Sequence, residues 1–230
     1  MRIGIIALLV TVYISLTRPA LCQEQPPTAP VTSALQFFDA LAAMDPASSL
    51  RALRTVSVSA QARELARATL PAEGALTPSR EEGKKLDALK PILIYHEREQ
   101  VFDLKVIDLP QAFMGLHERA ILLISRPALK VLTASELQAL GAHELAHDFF
   151  WGEFAQAPHG NARQQLELQC DGIAALTLVA LGLDPTRLLA ATKKLDQFNQ
   201  QFGTPSNAAT SRTMSVISTP LHCMRCVLVS

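Results

Sequence analysis

The stretch that most restricts what this chain can fold into is residues 133–152, TASELQALGAHELAHDFFWG, because it sets His143, Glu144 and His147 in a segment that reads as a helix. Residues four apart lie one above the other on a helix, so His143 and His147 can offer imidazole nitrogens to a single ion. Glu144, one position on from His143, reaches a water on that ion rather than the ion itself, which is where a general base must sit. The helix has local support. Thr133 and Glu136 form a capping box, and Leu137, Leu140, Leu145 and Phe149 supply an apolar side, with Gly152 as the expected stop. Gly141 costs about 1 kcal/mol relative to alanine, but on the apolar side it lets a neighbouring element come close. The plainer reading is an ordinary amphipathic helix with two histidines. Against it stands the complete His-Glu-x-x-His pattern in a chain with 6 histidines.

At 230 residues and 49% hydrophobic, the chain is sized for one domain with a substantial core. Lys plus Arg equals Asp plus Glu at 21 each, and no basic block stands out, so nucleic acid is not an expected partner. Residues 1–22 read as a signal peptide: Arg2, an apolar run, then small residues near Ala20 and Cys22. The run is shorter than the roughly 20 residues of a spanning helix. The expectation is therefore an extracytoplasmic protein, periplasmic or secreted, with no membrane span in the mature chain; the alternative is an N-terminal membrane anchor. Leu21 before Cys22 speaks against lipidation. Cys170, Cys223 and Cys226 then remain, an odd number, and the Cys223–Cys226 pair lacks the context of a redox or zinc motif.

Residues 23–31, with Pro26, Pro27 and Pro30, read as a linker, 32–202 as the domain, and 203–230 as a tail of undefined structure. Helical patterns cover 33–44, 57–70 and 78–89, so that three helices precede any strand. Strand signals then cluster at 92–95 (ILIY), 102–109 and 120–125. Gln111, Ala112, Phe113 and Met114 read either as an edge to which a peptide adds as an extra strand or as a plain connecting loop. After the motif come a connector from about 153 to 160, a long helix over 161–181 and a further helix to about 201. The fold class is α+β, mostly helical, with helices backing a small mixed sheet.

A catalytic zinc takes a third protein ligand and keeps one position open. Phe150 stands where a His-x-x-Gly-x-x-His continuation needs glycine, and Glu153 where it needs histidine. Glu167 and Asp171, at i and i+4 on the long helix, offer instead a third ligand and a carboxylate that orients a ligand imidazole. Glu153 and His159 are nearer in sequence and stay open as alternatives; a solvent-facing acidic pair is the bland account of Glu167 and Asp171.

The order of strand, RPALKVLTASELQALGAHELAH, connector and ELQCDGIAALTLVALGLDP resembles the gluzincin metallopeptidases of the HtpX-like, BepA-like and CAAX-prenyl-protease type, over about residues 92–200. The resemblance implies a zincin-like fold with a motif helix and a glutamate helix. It implies one zinc ion on His143, His147 and Glu167, with Glu144 as general base and Asp171 as the supporting aspartate. The implied activity is that of a zinc metalloendopeptidase acting on peptides or on unfolded or misfolded protein. The connector between motif and Glu167 is short, implying little lid over the cleft. The downstream tyrosine, histidine or arginine that such enzymes use toward the oxyanion has no assigned match, Arg212 and His222 being stand-ins. The alternative is a slow or inactive peptide-binding or assembly protein on the same fold.

Overall fold

The run ILLIS is apolar without alternation, as befits a strand with both faces covered. In the computed structural model, which describes residues 33–42, 45, 48, 50, 53, 57–70, 75–157 and 160–201, it forms β4 (Ile121–Ser125). Strand β2 (Asp103–Ile107) lies parallel to β4 with Val106 opposite Ile124, and β3 (Met114–His117) runs antiparallel on the other side with Leu116 opposite Leu122. A two-residue strand, β1 (Ala75–Leu76), pairs antiparallel with β2, which gives the order β1-β2-β4-β3 and leaves β3 as an edge. The signal segment, the linker, the tail, Cys22, Cys223, Cys226, Arg212, His222 and His159 lie outside the described residues.

Helix α1 (Ala34–Ala42), α2 (Ala60–Thr69) and α3 (Arg80–Leu86) fall where the periodicity puts them, α3 behind a complete capping box of Ser79 and Glu82. Two expectations are corrected. β1 lies between α2 and α3, so a strand precedes the third helix. The run at 92–95 is not a strand: after a 3-10 turn, Asp87–Leu89, it completes helix α4 (Lys90–Tyr95). Four apolar residues carry no period that separates strand from helix, and Pro91 in the first turn favours the helix. Ile92 and Leu93 enter the core while Ile94 stays exposed.

A short helix, α5 (Arg126–Val131), leads from β4 to the motif helix α6 (Ala134–Ala146). Thr133 and Glu136 cap α6 reciprocally, as the sequence predicts, and Glu136 also accepts from Lys194 at 2.8 Å. Leu137, Leu140, Ala142, Leu145 and Ala146 are buried, so the motif sits in the middle of the core rather than on its surface. Gly141 admits the Leu89 side chain, which a Cβ there would strike. Helices α8 (Asn161–Ala180) and α9 (Thr186–Gln200) pack along α6. At Gly172 of α8 the ring of Phe38 sits where a Cβ would be, which seats α1 on α8. Among the described residues no helix is long and apolar enough to cross a membrane.

The motif helix does not run to Gly152. It ends at Ala146, His147 is its C-cap, and Asp148, Phe149 and Phe150 donate to the carbonyls three residues back before α7 (Trp151–Gln156) begins. The connector expected over 153–160 is thus helical in its first part. The tightened turn carries Asp148 inward, where its carboxylate meets Arg119 at 2.6 Å and Arg98 at 3.2 Å. Arg119, in the β3–β4 turn at φ 56°, is thereby tied to the end of the motif helix. Removing a buried partner leaves its counter-charges uncompensated, so Asp148→Ala is expected to destabilise the fold by about 3–5 kcal/mol in urea unfolding. A change within about 0.5 kcal/mol, the usual range of surface substitutions, would refute the strap.

Candidate metal centre

Helix α6 presents His143 and His147 one turn apart, their rings 5.0 Å between centroids and nearly perpendicular. Across from them α8 delivers Glu167, whose Oε2 lies 3.5 Å from His143 Nε2 and 3.6 Å from His147 Nε2. Ligand atoms on a tetrahedral zinc, each about 2.0–2.2 Å from it, stand roughly 3.4 Å apart, so these separations fit one ion between them. Glu144 is farther, its Oε2 3.9 Å from His147 Nε2, and it is more deeply buried than Glu167. A group of His143, Glu144 and His147 can also gather within 4.8 Å. Glu167 is nevertheless the better ligand, being nearer and facing both imidazoles.

Behind the ring of His143, Asp171 Oδ1 lies 2.8 Å from Nδ1. This places the Nδ1 proton against the carboxylate and turns Nε2 toward the shared point, the arrangement that fixes a ligand histidine. His147 has a different backing: its Nδ1 lies 3.8 Å from the Sγ of Cys170, a buried free thiol. Successive residues of α8 therefore stand behind the two imidazoles, with Glu167 one turn earlier between them. Asp171→Ala is expected to weaken metal affinity about tenfold to a hundredfold, measured by competition with a chelating dye. Unchanged affinity would mean that the α6 backbone alone orients His143.

Burial and neighbouring charges together set the ionisation of this cluster. Burial pushes the Glu144 carboxyl up to about 7, against the pull of His143 and of a hydrogen bond from the Leu116 backbone N–H. Burial and the charge of His143 bring His147 down to about 4, an imidazole with a free lone pair at neutral pH. Burial also works against charge on His143, yet Asp171 and then Glu167 outweigh it and hold this imidazole well above its usual value. For Glu167 burial is overcome by His143, His147 and Arg163, and its carboxyl stays below the usual range. The carboxylates of Asp171 and Glu167 thus flank the His143 ring and favour positive charge between them. Asp171 Oδ2 is buried without a partner, a further sign that the pocket holds more negative charge than its own side chains satisfy.

The structure brings His143, Glu144, His147, Glu167 and Asp171 together. Glu153 lies in the first turn of α7. Of the two readings of 111–114, the structure shows a connector leading into an edge strand that begins at Met114. Ala112 donates to Asn199 Oδ1 at 2.8 Å and accepts from its Nδ2 at 3.0 Å, and Phe113 donates to Ser125 Oγ and accepts from Ser125 N–H. With those backbone groups engaged, Ala112 and Phe113 form a clamped connector after Gln111, and only Met114 belongs to the edge strand. The strand beside Glu144 is 114–117, its Leu116 N–H on the carboxylate. Sequence reasoning also missed Cys170, Phe154 and Arg163. The ring of Phe154 lies 4.7 Å from that of His147, and Arg163 stands over Phe154 at 5.8 Å. Only Arg163 carried a legible signal, its place four residues before Glu167 on the same helix face. No protein-family model matches this chain, and no curated protein matches it.

Proposed function

We propose that this protein is an extracytoplasmic zinc metallopeptidase with a zincin-like fold of the gluzincin type, acting on peptides or on unfolded or misfolded protein. The observation that carries the reading is Glu167 Oε2 at 3.5 and 3.6 Å from the Nε2 atoms of His143 and His147, with Asp171 bonded behind His143. His143, His147 and Glu167 would hold the ion. Two imidazoles and one carboxylate are a donor set suited to catalytic zinc, and the side chain of Glu167, 35% exposed, leaves one side of the cluster toward solvent.

Zinc in such a site supplies Lewis acidity to a water and to the substrate carbonyl. The remaining work falls to the chain. Glu144, buried beside His147, would take a proton from the attacking water and deliver it to the departing amine. The Leu116 N–H fixes the Glu144 carboxylate in place, which ties the base to the edge strand. On that strand, the backbone groups of 114–117 that neither pair with β4 nor hold Glu144 would align an extended peptide. Asp171 keeps the Nδ1 proton of His143, so that Nε2 keeps its lone pair for the ion.

The deciding assay is cleavage of a chemically unfolded protein with and without added zinc, the chelated protein serving as control. Zinc-restored cleavage supports the reading. If zinc binds but no cleavage follows, the slow or inactive peptide-binding protein takes its place; if zinc does not bind, both readings end.

A further inference from the structure

Most basic side chains around the sheet and the motif helix have an acidic partner. Arg67 is paired with Asp103, Arg98 and Arg119 with Asp148, Arg126 with Glu82, and Lys194 with Glu136. Arg163 differs. It is exposed, and among the described residues no hydrogen bond or ion pair engages it. Its recorded neighbour is an aromatic face: the guanidinium carbon lies 5.8 Å from the centroid of Phe154. Phe154 in turn is tilted against the ring of His147 at 4.7 Å. An arginine placed this way is held by attraction to the ring while its fork of donors stays available to a carboxylate.

The position matters as much as the missing partner. Arg163 sits one turn ahead of Glu167 on the same face of α8, and the side chain of Glu167 is 35% exposed. Its charge is felt by both His147 and Glu167, which places it within electrostatic reach of the point where a peptide would be cut. The carboxylate of Glu167 also lies there, on the same helix face as Arg163, so Arg163 is the exposed basic group beside the third acidic side chain of the cluster.

We infer that Arg163, seated on Phe154 at the rim of the metal centre, selects substrates carrying a carboxylate side chain close to the bond that is cut. This rests on the peptidase reading and adds the chemistry of the substrate to it. Arg163 acts as a specificity residue: it offers a bidentate partner to a Glu or Asp of the peptide, and that pairing is screened by salt because the site is open.

The test uses matched fluorogenic peptides in which one position, scanned across the four residues on each side of the scissile bond, is Glu, Gln or Lys. For the wild-type full chain with zinc, kcat/KM at one position is expected to favour Glu over Gln by about fivefold, the upper range of an exposed ion pair. The preference should shrink as salt is raised. Arg163→Lys should retain part of it, whereas Arg163→Glu should reverse it toward Lys. A readout independent of turnover is the affinity of the same peptides for zinc-loaded Glu144→Gln protein, followed by fluorescence anisotropy, where the same ranking should appear. Identical Glu-to-Gln ratios in wild type and Arg163→Glu, in both cleavage and binding, overturn the role of Arg163 and leave the peptidase reading standing. Absence of both cleavage and binding for every peptide by the wild type overturns the peptidase reading and this inference with it.

Discussion

Glu144→Gln is expected to keep one zinc per chain and to lose about 10²–10⁴-fold in peptide hydrolysis, the range that a positioned general base contributes. Glutamine has nearly the same shape, so it fills the same buried space and its amide oxygen can still accept from the Leu116 N–H. It cannot take a proton. The metal should stay because the oxygen of Glu144 is farther from His147 than that of Glu167, at 3.9 against 3.6 Å. Metal analysis and kinetics on one preparation make the distinction. Full turnover in the variant removes Glu144 from the mechanism, and loss of zinc instead makes Glu144 a ligand, in line with the grouping of His143, Glu144 and His147 within 4.8 Å.

Glu167→Ala is expected to reduce zinc binding to the level of His143→Ala and His147→Ala, below detection at micromolar metal, because two remaining donors do not hold a catalytic ion. Glu153→Ala should bind as wild type does, since Glu167 already stands between the two imidazoles at 3.5 and 3.6 Å. His159→Ala is expected to do the same. A competitive zinc titration of all five variants reads the whole ligand set at once. Wild-type affinity in Glu167→Ala together with loss in Glu153→Ala or His159→Ala would falsify the assignment of the third ligand. The second backing group separates a lost ligand from a misfolded site: Asp171→Ala weakens binding without abolishing it, so a graded series is the expected pattern.

Much of the site could be read from residue spacing because its geometry is local. His143 and His147 come to one face through the pitch of a single helix, Glu144 follows from the same pitch, and the cap at Thr133 and Glu136 depends on three residues of separation. Glu167 and Asp171 are likewise one turn apart on one helix. Their pairing with α6 was an inference from chemistry, since nothing local says which helix faces which. The run at 92–95 was misread for a related reason: four apolar residues look alike in a strand and in a buried turn of helix, and the packing of Ile92 and Leu93 decides.

What the sequence determined by itself is the motif helix, its cap, the two imidazoles with their base, the two acids on α8 and the buried central strand, all of which follow from periods within one element. The tertiary structure decided the rest. It brought Glu167 to 3.5 Å from His143, put Cys170 behind His147, and ended the motif helix at Ala146 so that Asp148 could reach Arg98 and Arg119. It also decided that the edge strand begins at Met114, with Asn199, 87 residues away in sequence, taking both backbone groups of Ala112. Such contacts join residues far apart along the chain, and no periodicity within one segment encodes them; they exist only once the helices are packed and each buried polar group must find a partner.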